Sequence, residues 1–248
     1  MEKSEYEVMF RMENDFWWYR GLHSLVEYFV KQKYEKKTQW LEIFDAGCGT
    51  GRMLELLRQY GSVSGVDISG DAVMFCRERG VSDVSQCDLN QWHSNGRKYD
   101  IVYSLDVLYH KGVAENIASI LQRFREALAQ DGLLILNLPA FPLLYRNHDK
   151  VVHTAKRFTK RDVANCLSNA GFKIRVLSYR LPPLFIVILL QKIMCCFCKP
   201  SETSSDLQKI SPVLNLILYL YNRVENIFLR CGYSFSFGSS VFVVAEKK

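Results

Sequence analysis

At 248 residues the chain has room for one full α/β domain with a large insertion, and it is too long to need disulfide or metal staples. Apolar residues make up 48% and charged residues 23%, which excludes a disordered chain, a collagen and a coiled coil. Thirty-two Lys+Arg against 26 Asp+Glu leave a net charge of +6, which suits an anionic partner or a membrane surface.

In chain order, MEKSEYEVMFRMEND is polar and acidic and lacks the apolar stretch of a secretory signal. A reducing, cytoplasmic setting with free thiols is therefore expected. The eight cysteines include no pair of C-x-x-C elements, and no metal is expected. Residues 1–39 read as an N-terminal helical cap. Phe16, Trp17, Trp18 and Tyr19 are consecutive, too many for one helix face. They either pack across the edge of the main domain or lid a ligand pocket.

The main domain is expected over residues 40–248. LEIFDAG reads as a buried strand entering a turn, and RMLELLRQY, with apolar spacings of three and four, as a helix. SVSGVD is a second strand. SGDAVMFCRERG is a helix with Ser69 at its start and Gly80 at its end. VSDVSQCD is a weaker third strand and KYDIVYSLD a fourth. ENIASILQRFREALAQDG reads as a helix closed by Asp131-Gly132. GLLILNLP is apolar enough to be central. TKRDVANCLSNAG is a helix capped by Thr159 and ended by Gly171. FKIRVLSYR and SSVFVVAEKK complete seven strands. Alternating strands and helices mean a Rossmann-like, doubly wound α/β sheet.

Between the last two strands lies a hydrophobic helical insertion, residues 181–233. It holds PPLFIVILLQKIMCCFC and PVLNLILYLYNRVENIFL, joined by a polar, Ser-rich piece. The apolar run breaks at Gln191-Lys192, short of the roughly 20 residues a membrane span needs. The insertion reads as a cap on the pocket, an interfacial membrane anchor or a dimer interface.

The sharpest signal is Asp45-Ala46-Gly47-Cys48-Gly49-Thr50-Gly51, directly after a strand and opening a helix. Its glycines allow a tight turn and a close backbone approach to a ligand. The dinucleotide fingerprint is G-x-G-x-x-G, whereas this loop is G-x-G-x-G with Arg52 where the third glycine would stand. Asp67 ends the second strand, where an acid can accept both hydroxyls of a ribose. Asp45 would repel a diphosphate but suits a ligand carrying an ammonium and a sulfonium. Asp88 follows the third strand, where an adenine amino group could be hydrogen-bonded.

LEIFDAGCGTG, VSGVD, CDLNQW, KYDIVYSLDVLYH and DGLLILNLP together resemble the successive motifs of class I S-adenosylmethionine-dependent methyltransferases. The resemblance covers residues 40–180, completed by the strand at 240–246. It implies a seven-stranded sheet in order 3-2-1-4-5-7-6 with strand 7 antiparallel, and S-adenosyl-L-methionine as cofactor. It implies that the loop Gly47, Cys48, Gly49, Thr50 and Gly51 surrounds the methionine part. Asp67 would hold the ribose, Asp88 with Leu89 would flank the adenine, Leu105 would line the inner side, and Ile68 is a further cofactor-binding candidate. PAFPLLYRNHDKVVHTAKRFTKRDVANCLSNAGF is similar to an HD…H…RFT stretch in a bacterial type 11/12-like subgroup. That subgroup also shows aromatic segments like DFWWYR and an apolar run after paired prolines. Some of its members act on quinones, lipids or glycan-linked lipids. The chain departs from the subgroup at Ala155-Lys156, and it has LYH where LEH is common after strand 4.

A hydroxyl or amine acceptor must lose a proton, for which histidine suits neutral pH. His110 follows strand 4. His148, Asp149 and His153 follow strand 5, where the carboxylate could orient a histidine. These four are the catalytic candidates. Lys150, Lys156, Arg157, Lys160 and Arg161 form a basic cluster for an anionic substrate or headgroup. Nucleic acid is disfavoured, because no RNA-binding module accompanies it. The expected activity is methyl transfer, with O-methylation favoured, to a small-molecule or lipid-like acceptor at a membrane surface. The rival readings are a cofactor-binding scaffold without turnover and an NAD-dependent oxidoreductase.

Overall fold

The computed structural model describes residues 3–146, 149–150, 152–195 and 210–247. Helices α1 (Lys3–Met12) and α2 (Trp17–Lys37) open the chain. Strands and helices then alternate: β1 (Leu41–Ala46), α3 (Arg52–Leu57), β2 (Gly61–Asp67), α4 (Gly70–Glu78), β3 (Val84–Gln86), β4 (Tyr99–Leu105), α5 (Ile117–Ala127) and β5 (Leu128–Pro139). After them come α6 (Lys160–Asn169), β6 (Phe172–Arg180), α7 (Pro182–Cys195), α8 (Pro212–Arg230) and β7 (Ser240–Lys247).

The seven strands form one sheet in the order β3-β2-β1-β4-β5-β7-β6. The pairs on the β3 side, through β5, are parallel, and β7 runs antiparallel to both β5 and β6. This is the expected topology. The period-two pattern of the strands sends alternate side chains to two cores. Phe44, Val102, Val241 and Val243 face the side covered by α5 and α6. Ile43, Ile101, Phe242 and Val244 face the side covered by α2 and α3. α2 contributes Leu22, Leu25, Val26, Phe29 and Val30, apolar residues at helical spacing. Fully burying each such side chain stabilises the fold by about 1.5–3 kcal/mol.

Local chemistry sets several ends as expected. The Ser69 hydroxyl accepts the Ala72 N–H, and Gly80 closes the same helix region with φ +76°. Thr159 and Asp162 form a reciprocal capping box, and Gly171 follows with φ +78°.

One end differs. Asp131-Gly132 does not close α5. The helix stops at Ala127, Leu128 turns extended (φ −70°, ψ 142°), and Asp131-Gly132 lie inside β5. The β4–β5 pairing slips between Tyr99↔Leu128 and Ile101↔Leu133. A Cβ on Gly132 would stand 3.0 Å from the Tyr99 carbonyl oxygen. Gly132 therefore serves an irregular strand pairing rather than a helix end.

The insertion begins where β6 ends. The first apolar stretch is helical over its described residues, as α7, and the second as α8, which lies against α2 so closely that Gly21 has no room for a side chain beside Asn222. Cys196 and Cys198 lie outside the described residues.

Candidate cofactor and acceptor site

The C-terminal ends of β1, β2 and β4 converge on the glycine loop. Gly47, Gly49 and Gly51 have φ of +94°, +52° and +81°, a region that residues with a Cβ enter only with strain. Gly47 is also pressed from outside, since a Cβ there would meet Val107 Cγ2 at 2.3 Å. The Gly47 and Cys48 N–H groups both donate to the Val66 carbonyl, at 2.8 and 2.9 Å. Gly49 N–H donates to Asp67 Oδ2 at 2.9 Å, and Ser69 N–H donates to Asp67 Oδ1 at 3.0 Å. Loop and acid are thus one hydrogen-bonded unit. Oδ2 still has a lone pair for a ligand hydroxyl, so this acceptor fits a ribose at Asp67.

Helix α1 lies over this unit. The Tyr6 hydroxyl donates to Asp67 Oδ1 at 3.3 Å, and Met9 Cε would stand 2.8 Å from a Cβ on Gly49. Thr50 donates its hydroxyl proton to Glu13 Oε2. Arg79 ties the layers together. Its Nε reaches the Thr50 carbonyl at 2.9 Å, and its Nη2 reaches the Phe10 carbonyl at 3.0 Å and Glu13 Oε2 at 3.1 Å. Burial pushes Glu13 up to about 7, against the opposing pull of the Thr50 hydrogen bond and the Arg79 charge. Burial also raises Asp67, while the Ser69 and Gly49 N–H groups hold it down. Asp45 is buried and is pushed well above the usual carboxylate range, although the Tyr103 hydroxyl beside it favours the charged form. Tyr6, Glu13 and Arg79 belong to no local motif, and they meet the loop only through the fold.

At the far end of the loop, Leu89 is buried and Ile68 exposed. Asp88 Oδ1 accepts the Asn90 N–H and side-chain amide at 2.8 and 2.9 Å. Cys48 packs against Cys76 with sulfurs 3.6 Å apart, and Thr50 is fully buried. Leu105 ends β4 and packs against the core on the α2 side.

Beyond Leu105 stands a residue the sequence pattern did not single out. Asp106 has φ +57°, its N–H donates to the Asn137 carbonyl at 2.9 Å, and Asn137 Nδ2 donates to its Oδ2 at 2.8 Å. Burial pushes its carboxyl up to about 7, against the Asn137 hydrogen bond and the Arg180 and Arg157 charges. Its neighbour Val107 is the residue that presses on Gly47. Tyr19 from α2 and Tyr109 face the same carboxylate, which adds to the burial that raises both phenols. Arg180, at the end of β6, is fully buried. Its Nη2 donates to Asn222 Oδ1 at 3.1 Å, while Nε and Nη1 have no partner.

The four catalytic candidates separate. His110 Nδ1 donates to the Val152 carbonyl at 2.7 Å, so the proton sits on Nδ1, and burial lowers the ring's pKa. His153 is exposed and its carbonyl accepts the Lys111 N–H at 3.0 Å, which places the His110 and His153 segments side by side. His148 lies outside the described residues. Asp149 does not orient His153. Its two oxygens are held by Arg157 Nε and Nη2 at 2.8 and 3.1 Å, and both residues are buried. Two of the five cations of the basic cluster are engaged, while Lys150, Lys156 and Arg161 are exposed. Arg157 is consumed by Asp149, and Lys160 Nζ is held by Ser234 Oγ and the Phe235 carbonyl, each at 2.9 Å. Among the described residues no group of three or more His, Cys, Asp or Glu side chains could hold a metal.

Residues 43–132 match the model of a methyltransferase domain. No curated protein matches the chain by sequence. Solved structures share its fold. An S-adenosylmethionine-dependent methyltransferase from Mesorhizobium loti superimposes with a TM-score of 0.54 at 17% identity, covering 84% of this chain and 91% of its own. The magnesium protoporphyrin IX methyltransferase of Synechocystis PCC 6803, with bound S-adenosylhomocysteine, gives 0.56 at 20% identity over 95% and 86%. The plantazolicin methyltransferase BpumL, also with S-adenosylhomocysteine, gives 0.60 at 14% identity over 98% and 88%.

Proposed function

We infer that this chain, with a methyltransferase domain at residues 43–132 inside a class I methyltransferase fold, is an S-adenosylmethionine-dependent methyltransferase. The carrying observation is the single hydrogen-bonded unit of Gly49, Asp67 and Ser69 at the ends of β1 and β2. S-adenosylmethionine, when bound, supplies a methyl group on a sulfonium to a nucleophile placed in line with the S–C bond.

The chain's residues divide the work. Asp67 accepts the ribose hydroxyls. The backbone of Gly47, Cys48, Gly49, Thr50 and Gly51 runs along the methionine part. Ile68, Asp88 and Leu89 flank the adenine, and Leu105 lines the inner side. A cationic ligand favours the ionised form of Asp45 and so offsets the burial that opposes it. Asp106, set beside the loop through Val107, takes the proton from an acceptor hydroxyl or amine. A carboxyl near 7 is matched to that task at neutral pH. His110 lines the same segment. Alignment of acceptor and methyl supplies most of the remaining rate.

The acceptor is a small or lipid-like molecule, with O-methylation favoured, in the quinone, lipid or glycolipid class, and the enzyme is cytoplasmic and peripheral to a membrane. The apolar surfaces of α7 and α8 beside the site edge support this reading. Calorimetry with S-adenosylhomocysteine tests the cofactor, with NAD in parallel. Micromolar binding that disappears in Asp67→Ala is expected. Binding of NAD instead, or no binding by a folded sample, would sink the reading.

A further inference from the structure

A surface helix normally buries its apolar side and shows its polar side to water. Helix α8 departs from this. Its buried residues are Asn222, Glu225 and Asn226, with Leu229 near its end joining the apolar core. Asn226 Nδ2 donates to the Gly21 carbonyl at 2.8 Å and Ser24 Oγ at 3.0 Å, and Glu225 Oε1 accepts the Leu181 N–H at 2.6 Å. Further along, Asn215 accepts the Trp17 N–H at 2.9 Å and donates to the Asp15 carbonyl at 2.8 Å. The outer face carries Val213, Leu216, Ile217, Leu220, Val224 and Ile227, each between 47% and 69% exposed. That stripe runs about 21 Å along the axis at ~1.5 Å per residue. α7 repeats the pattern at Ile186, Leu190 and Ile193, between 48% and 54% exposed.

Charge chooses among the occupants such a face could have. The charged residues on the two helices, among those described, are Lys192, Arg223, Glu225 and Arg230, and the single acid is the buried Glu225. Lys192 Nζ donates to the Leu143 and Tyr145 carbonyls at 2.7 and 3.3 Å and Arg230 Nη2 to the Ser24 carbonyl at 2.9 Å, so what faces outward is apolar with Arg223 as its exposed charge. In an isologous contact between these faces of two copies, Arg223 would find no exposed acid on the described parts of the partner's α7 and α8. An anionic lipid surface complements both properties. Among the described residues no helix is long and apolar enough to cross a membrane, so a helix of this kind lies in the plane of the interface.

We propose that the outer faces of α7 and α8 dock on an anionic lipid surface, with α8 lying in the interface. α7 follows β6 directly, and Glu225 ties α8 to Leu181 at the same place. The end of β6 is at the sheet edge that holds the glycine loop and Asp106, so docking turns the site edge towards lipid. The inference deepens the membrane part of the proposed function, and it stands on surface geometry rather than on cofactor binding.

The test is flotation of the full chain with vesicles of phosphatidylcholine alone and of phosphatidylcholine with phosphatidylglycerol, at low and physiological salt. Wild-type protein is expected to float with the anionic vesicles, more as their phosphatidylglycerol content rises and less as salt rises. The double variant Ile217→Glu, Leu220→Glu is expected to lose at least tenfold in vesicle partition, while Met74→Glu, at an exposed apolar position on α4, floats like wild type. Circular dichroism checks the double variant, and Ile217→Ser replaces it if it does not fold. Wild type that fails to float, or a double variant that floats undiminished, overturns the proposal. A wild-type dimer by light scattering that the double variant dissolves, without flotation, assigns the face to a second copy. S-adenosylhomocysteine calorimetry on the same samples separates the two readings: flotation without binding leaves docking standing and removes the methyltransferase.

Discussion

Asp106 joins structure to chemistry through its proton. Its folded pKa, about 7, lies above the ordinary 3.8. The folded state therefore holds a proton that the unfolded state releases between those values. Stability from this group is fully present at low pH and is lost as pH rises towards 7, by at most about 1.4 kcal/mol per displaced unit. Asp106→Asn removes that dependence. The variant is expected to gain on wild type between pH 5 and pH 8 in urea denaturation, and a gap that shrinks with pH would contradict the burial argument. Glu13 is also raised to about 7, so the difference between variant and wild type, not either curve alone, isolates Asp106. Gly47 gives a steric counterpart. With φ +94° and Val107 Cγ2 2.3 Å from where a Cβ would be, Gly47→Ala is expected to weaken S-adenosylhomocysteine binding at least tenfold by calorimetry.

At the scale of elements, α1 is held by a small apolar cluster, Tyr6, Met9 and Phe10 against Ala72 and Phe75 of α4, and by polar ties. Arg79 supplies two of the polar ties, to the Phe10 carbonyl and to Glu13, and the charge that compensates Glu13. Removing one partner of a buried ion pair costs about 3–5 kcal/mol when the other stays buried. Here the cheaper escape is for α1 to lift, exposing Glu13 to water. Arg79→Ala is therefore expected to speed amide exchange across α1 while the central strands keep their protection. Equal loss in both would mean that α1 is part of the global unit. This contrast also explains what the sequence disclosed. The β1–loop–α3 unit, Ser69, Thr159 and the apolar strands are governed by neighbours a few residues away, and pattern and spacing suffice to find them. Tyr6 meets Asp67 across 61 positions, and Asp149 chooses Arg157 over a histidine because of how residues 149 and 157 face each other. Gly132 resembles a helix stop because Asp-Gly is a good one locally; only the strand register beside Tyr99 decides otherwise. Asp106 was hidden because an acid at a strand end reads as an ordinary turn residue.

At the scale of the whole molecule, ligand binding should act on a single cooperative sheet with both faces covered. S-adenosylhomocysteine at about one hundred times its dissociation constant adds ~2.7 kcal/mol to the folded state. For a chain of this size that corresponds to a rise in melting temperature of roughly 5–10 °C. The rise should be absent with NAD and absent in Asp67→Ala. An equal rise with NAD would move the site towards dinucleotides.

The position of β7 has a consequence for how the chain leaves the ribosome. The last of the seven strands to be made is not at the rim of the sheet but between β5 and β6. Until Ser240–Lys247 emerges, β6 has no hydrogen-bonding neighbour and both cores lack a wall. At ~5–20 residues per second, the stretch from the end of β6 to the start of β7 takes roughly 3–12 s to synthesise. Through that interval the nascent chain presents two greasy helices and an unclosed sheet. Whatever shelters those helices during translation, lipid or chaperone, has first claim on them before the fold is complete.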